Sequence, residues 1–213
     1  MIMQINNLRS LTIAVCFIPL LWVVFDIAFD NLGSNQMQAL HIRLGDWALR
    51  FLWITLAITP VQTVTKWRGM TEYRQLFGLY AFFYASLHVL VYLAVDQVFA
   101  WRIIGIDILE SSYIWFGLLA YLIVFSLGIT SSKASKKLLG KSWKKLHRFI
   151  YLAAGAAMIH YFWQLKGNLA EPLFYLLLIF MLLGFRAVIW FKNKQLSQMM
   201  IPKGRASTDT EAD

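Results

Sequence analysis

The chain has 213 residues, 59% of them hydrophobic, 16% aromatic and 15% charged, with a formal net charge of +9 and a mean hydropathy of +0.58. Soluble domains carry charge on about a quarter of their residues, so the composition excludes an ordinary water-soluble fold and points to a multi-span membrane protein. The single cysteine, Cys16, excludes an intrachain disulfide and a multi-cysteine iron–sulfur or zinc centre.

Six apolar segments follow one another, roughly 9–29, 44–62, 75–95, 113–130, 146–164 and 171–191. Each is near the ~20 residues that a spanning helix needs. The expected fold is all-α, a polytopic bundle of six transmembrane helices over residues 1–191. A polar tail over 192–213, ending TDTEAD, is expected to be disordered. The first segment, Leu11 to Phe25, follows Arg9 and leads to no small-residue cleavage site, so it reads as an uncleaved helix and not as a signal peptide.

Charge alternates between the loops. Lys66, Arg68 and Arg74 follow the second segment. Lys133, Lys136, Lys137, Lys141, Lys144, Lys145 and Arg148 follow the fourth with no acid among them, and Lys192, Lys194, Lys203 and Arg205 lie in the tail. The other loops hold most of the acids, including Asp26, Asp30, Asp96, Asp107 and Glu110. The positive-inside rule then places both termini and the basic loops in the cytoplasm. The basic loops themselves read either as topology signals in contact with anionic lipid or as a docking surface for a partner.

Histidine inside a span is costly and marks function by default. His88 lies in the third segment. His160 and His147 lie at the two ends of Lys144 to Trp163, KKLHRFIYLAAGAAMIHYFW. At ~1.5 Å per residue, His88 is roughly 21 Å in from Arg74 and His160 roughly 24 Å in from Lys144. Two imidazoles at matched depth on two helices running the same way are what a bis-histidine b-type haem needs. Arg74, Gly78, Ala81, Ala85 and His88 share one helix face, and Ala153, Ala156, Ala157 and His160 share another. Small residues leave a slot for a cofactor, but they equally serve close helix packing. A histidine bonded to another helix is the alternative reading for either residue alone.

His147 stands at the basic edge, where a solvated interfacial histidine competes with a ligand to a second, inner haem. The partner level on the third helix holds Arg74 and Gln75 and no histidine. Thirteen residues also leave His147 and His160 about 140° apart on a straight helix. An inner haem therefore requires an unusual second ligand, a bend or an open position. His41, ahead of the second segment, is expected at the surface or interface. Arg50 and Arg186 lie inside spans, where snorkelling competes with pairing to haem propionates or a flavin phosphate.

No GxxxxGK[ST], GxGxxG, HExxH or CxxC pattern occurs, and no nucleophile–base or acid pair suggests bond-breaking catalysis in this chain. The runs RQLFGLYAFFYASLHVLVYLAVD and ITSSKASKKLLGKSWKKLHRFIYLAAGAAMIHYFW, with LGDWALRFLWITLAITP, resemble the MsrQ family over about residues 40–165. That family comprises haem-binding membrane subunits of a protein-methionine-sulfoxide reductase system, within the ferric-reductase-like transmembrane group that includes the NADPH-oxidase membrane core. One departure is ESSYI at Glu110 to Ile114, where the family is expected to be more basic.

The resemblance implies a bacterial inner-membrane subunit with haem b and an associated FMN. Its donor would be the quinone pool or a cytoplasmic flavin reductase, and its partner the periplasmic molybdopterin subunit MsrP. His88, His147 and His160 fall on the family's histidine positions and Arg74 on its arginine. Two other classes stay open on the residues alone: a six-helix transporter or scaffold without haem, and a ferric- or quinone-linked b-type cytochrome with another acceptor.

Overall fold

The computed structural model describes residues 2–67, 69–164 and 170–199, with side chains over 7–67, 69–164 and 170–196. Among the described residues the chain is helical, without β-strands. The helices are α1 (Ile2–Ala28), α2 (Gln36–Thr65), α3 (Met70–Leu90), α4 (Trp101–Glu110), α5 (Ser112–Ile129), α6 (Lys133–Leu139), α7 (Lys141–Leu146), α8 (Ile150–Gln164) and α9 (Ala170–Met199). A π-helical turn, Val91–Asp96, prolongs α3, and a 3-10 turn, His147–Phe149, joins α7 to α8.

Five helices, α1, α2, α3 with its π turn, α5 and α9, are long and apolar enough to cross a membrane. The sixth expected segment is composite. α8 has 15 residues, short of the ~20 a span needs, and it gains length from the 3-10 turn and α7. The protein is a multi-pass membrane protein of the expected all-α class. Two details differ from expectation. α4 forms inside what reads as a loop, and α9 runs past position 191 to Met199. The charges Arg68, Lys166, Lys203 and Arg205, and the tail from 200 onward, lie outside the described residues.

α2 is the central helix. It buries Leu49, Phe51, Leu52, Trp53, Leu56 and Ile58. It packs on α3 as one hairpin, while α5 and α8 form a second, and α3 contacts α5 to join the two. α9 covers α2 and α8. α1 is tied to α2 by the ion pair of Arg43 with the buried Asp26.

Pro19 and Pro60 lie well inside spanning helices, past the first turn, and each leaves backbone polar groups to satisfy. Lipid offers no water, so other helices must supply the partners. At Pro60 the missing N–H frees the carbonyl of Leu56, four residues earlier. The Arg186 guanidinium on α9 donates to that carbonyl at 2.7 Å, and also to the Tyr151 hydroxyl of α8. Near Pro19 the α1 ladder opens, and the Tyr84 hydroxyl enters it. It accepts from the Leu20 N–H at 3.1 Å and donates to the Cys16 carbonyl at 2.8 Å, the two groups that would otherwise bond each other. Tyr84 is fully buried. Arg186 is thus engaged in joining helices.

Tyr84→Phe should leave two buried backbone groups without partners and cost about 1–3 kcal/mol. Thermal unfolding in detergent is expected to show a lowered Tm. An unchanged Tm would mean that the α1 ladder closes without the hydroxyl.

Candidate functional site

A cavity of about 750 Å³ opens between the two hairpins, under α4. Its deep wall is apolar, with Leu49, Leu52, Ala81, Ala85, Ala120 and Val124. Its polar lining gathers where α2 begins and α3 and α8 finish, at Asn35, Gln38, His41, Asp96, Gln97 and Gln164. No Lys or Arg among the described residues lines it.

The structure brings His88 and His160 together across this cavity. Their ring centres are 6.3 Å apart and their planes 80° apart. Each ring is anchored through Nδ1. His88 Nδ1 donates to the His41 carbonyl at 3.0 Å, and His160 Nδ1 donates to the Tyr113 carbonyl at 2.9 Å. A carbonyl only accepts, so the proton sits on Nδ1 and Nε2 of each ring carries the lone pair. This is the arrangement by which outer-shell partners orient metal-bound imidazoles.

The spacing of the ring centres can be compared with that of a bis-imidazole iron. A metal–imidazole bond is about 2.0–2.1 Å, and the ring centre lies about 1 Å beyond the nitrogen, so two imidazoles that would share one iron have ring centres about 6 Å apart, close to the 6.3 Å found here. Among the described residues no three His, Cys, Asp or Glu side chains converge as a metal site. A two-histidine site with an apolar slot suits a planar cofactor that brings its own equatorial ligands.

The small residues divide between the two readings they allow. Ala81, Ala85 and Ala157 line the cavity. Gly78 lies against Thr55 of α2, and Ala153 and Ala156 are buried without lining the slot. The same faces therefore serve both the cavity and close packing.

His147 is not brought to a second histidine. It stacks on Trp143 with ring centres 3.9 Å apart, and its Nδ1 donates to the Trp143 carbonyl at 3.1 Å. Its Nε2 is buried without a hydrogen-bond partner. The 3-10 turn that begins at His147 matters for its direction. At about 120° per residue over three residues, it narrows the angle to His160 from about 140° to about 80°. On α3 at this level, Arg74 reaches Thr59 at 3.5 Å, and Gln75 donates to the Ser131 carbonyl at 2.8 Å.

His41, expected at the surface or interface, is half-buried. α2 starts at Gln36, which puts His41 inside the helix and in the cavity wall. Its ring meets that of His88 edge-on at 5.6 Å, and its Nε2 lies 3.7 Å from Asp96 with the His41 side chain 19% exposed. The π turn after His88 carries Asp96 at its end, and π turns recur at functional sites. Arg50 does not line the cavity; it donates to the Tyr175 hydroxyl at 3.0 Å. It also lies 3.4 Å from Glu171 and 3.6 Å from Asp46. It therefore joins α2 to α9.

The structure adds four residues to the site that single-residue reasoning missed: His41 and Tyr113, which give carbonyls, and Gly45 and Gly117, which stand against the histidine rings. A carbonyl has no side-chain signature. The glycines are visible in the sequence, but nothing local distinguishes them from packing glycines.

The model of the family described as ferric reductase like transmembrane component matches residues 13–158. Among curated proteins, the chain is 37% identical to the protein-methionine-sulfoxide reductase heme-binding subunit MsrQ of Rhodospirillum rubrum, covering 84% of this chain and 87% of that one. It is 36% identical to the same-named protein of Polaromonas naphthalenivorans, over 85% and 84% of the two chains. With that of Xanthomonas euvesicatoria the identity is 39%, over 80% and 78%. No solved structure matches.

Arg50→Met removes the bond to the Tyr175 hydroxyl, which keeps its bond to Glu171, and should lower thermal stability by up to about 1 kcal/mol. It should leave any visible absorbance of the purified protein unchanged, since Arg50 does not line the cavity. Loss of that absorbance would return Arg50 to the cofactor site.

Proposed function

Since the chain belongs to the ferric reductase-like transmembrane family, and within it to the MsrQ group, we propose that it is the b-type haem membrane subunit of a methionine-sulfoxide reductase system. Its proposed task is to pass electrons across the bacterial inner membrane to a periplasmic molybdopterin reductase, MsrP, in support of the repair of oxidised proteins. The proposed donors are the quinone pool or a cytoplasmic flavin reductase. The observation that carries this reading is the opposed pair His88 and His160, 6.3 Å apart over a cavity with an apolar depth.

His88 and His160 would hold the haem iron through Nε2. Haem supplies one-electron chemistry when bound. The chain's own residues do the rest. The His41 and Tyr113 carbonyls hold the Nδ1 protons and stop the rings from turning. Leu49, Leu52 and Val124 keep water from the deep wall.

The charge pattern supports the direction of transfer. The basic loops 133–148 belong to the cytoplasmic side by the positive-inside rule, which puts the His88–His160 pair toward the periplasm, where the acceptor would dock. His147, with Arg74 on the neighbouring helix, marks the inner end at which electrons would enter. A second haem there would use His147 with a non-histidine ligand or an open position. FMN enters this reading by family resemblance, without an assigned residue.

The purified protein is expected to give a reduced-minus-oxidised spectrum of b type. His88→Ala and His160→Ala should each abolish its main component, and His147→Ala should preserve it. Full haem retention in both of the first two variants would sink the ligand assignment. Mixing the reduced protein with a periplasmic molybdopterin reductase and a methionine-sulfoxide substrate should reoxidise the haem. No reoxidation would leave a cytochrome with another acceptor.

A further inference from the structure

The two histidine seats are one construction made twice. On α2 the His41 carbonyl accepts from His88, and on α5 the Tyr113 carbonyl accepts from His160; in both cases donor and acceptor are 47 residues apart. One turn beyond each carbonyl stands a glycine, Gly45 and Gly117, and each faces the ring that its own helix anchors. The positions 41 and 113, 45 and 117, and 88 and 160 all differ by 72. The same interval pairs Ala48 with Ala120, Ala81 with Ala153 and Ala85 with Ala157. The paired helices are also packing partners, α2 with α3 and α5 with α8.

Resting on the reading of His88 and His160 as haem ligands, we propose that the two hairpins are copies of one ligand-presenting unit, with Gly45 and Gly117 as positioning residues that fix the plane of each imidazole. A ring needs two constraints to fix its plane. The carbonyl holds Nδ1, and the glycine lets the ring lie flush on the helix that anchors it. A Cβ at position 117 would stand 2.8 Å from both Nδ1 and Cε1 of His160. The ring cannot retreat from it without giving up the Tyr113 bond. At position 45 a Cβ would stand 3.3 Å from His88 Nδ1, tight but closer to tolerable. The two seats together set the 80° between the ring planes. The copies differ at the basic end, where the same interval sets Gln75 opposite His147. The unit is thus complete in both copies only at the His88–His160 level.

The test compares Gly117→Ala, Gly45→Ala and Gly155→Ala in the full chain in detergent. Gly155 lies on α8 with His160, and a Cβ there meets nothing within 4 Å. In the ferric haem-loaded protein, Gly117→Ala should shift the low-spin EPR signal and the midpoint potential, or lose haem while the helical circular dichroism is kept. Gly45→Ala should shift the same signals less, and Gly155→Ala should match wild type. A second arm needs no haem: ¹⁵N NMR of labelled histidine in the haem-free protein should show the Nδ1–H form at His160 in wild type and Gly155→Ala, and its loss in Gly117→Ala. Wild-type behaviour of Gly117→Ala in both arms, or equal effects from Gly155→Ala, overturns the seat. Failure of wild type to bind haem overturns the functional reading instead, and the NMR arm still decides the seat.

Discussion

A carbonyl that faces other helices of a membrane bundle has little water to turn to, and this bundle uses four such carbonyls as its fixed points. The Leu56 carbonyl, released by Pro60, takes the Arg186 guanidinium and draws α9 onto α2. The Cys16 carbonyl takes the Tyr84 hydroxyl and draws α1 onto α3. The His41 and Tyr113 carbonyls take the two histidines. In a medium that cannot solvate polar groups, each of these bonds fixes a neighbour's position. The same physics that assembles the helices also orients the rings.

That economy explains where the charged groups went. Arg50 and Arg186 are both costly at membrane depth. Each is engaged between helices, Arg50 with Tyr175 and Glu171 and Arg186 with Leu56 and Tyr151. The cavity is left without a lining Lys or Arg among the described residues, and its polar groups are amides, carboxylates, tyrosines and histidines. The slot is apolar in depth and polar at one mouth, as an amphiphilic planar cofactor would require. The two imidazoles meet inside it with their basic nitrogens unengaged.

Much of the architecture could be read from the chain. Six apolar segments and alternating loop charge predict the bundle, because a spanning helix must be ~20 apolar residues long whatever its neighbours do. The depth match of His88 and His160 also follows from residue counting, since the helix rise is constant. What counting could not deliver was the behaviour of segments whose conformation depends on contact. α4 forms where the hairpins leave a mouth to cover, with Ile104, Asp107 and Ile108 in the cavity wall. The 3-10 turn at His147 changes that residue's direction by about 60° relative to an ideal helix. His41 moves from an expected loop to the wall because α2 begins five residues ahead of it, at Gln36.

The sequence by itself determined the medium, the number of apolar segments and the matched level of His88 and His160, because these depend on local composition and on a fixed rise per residue. Tertiary structure alone decided which side chains face one another. The partners of His88 and His160 are backbone carbonyls 47 residues away, and the ring planes are held by glycines whose role lies in the Cβ they lack. A constraint exerted by a carbonyl or by a missing atom leaves no residue type to recognise, so it becomes visible only when the two hairpins are packed together.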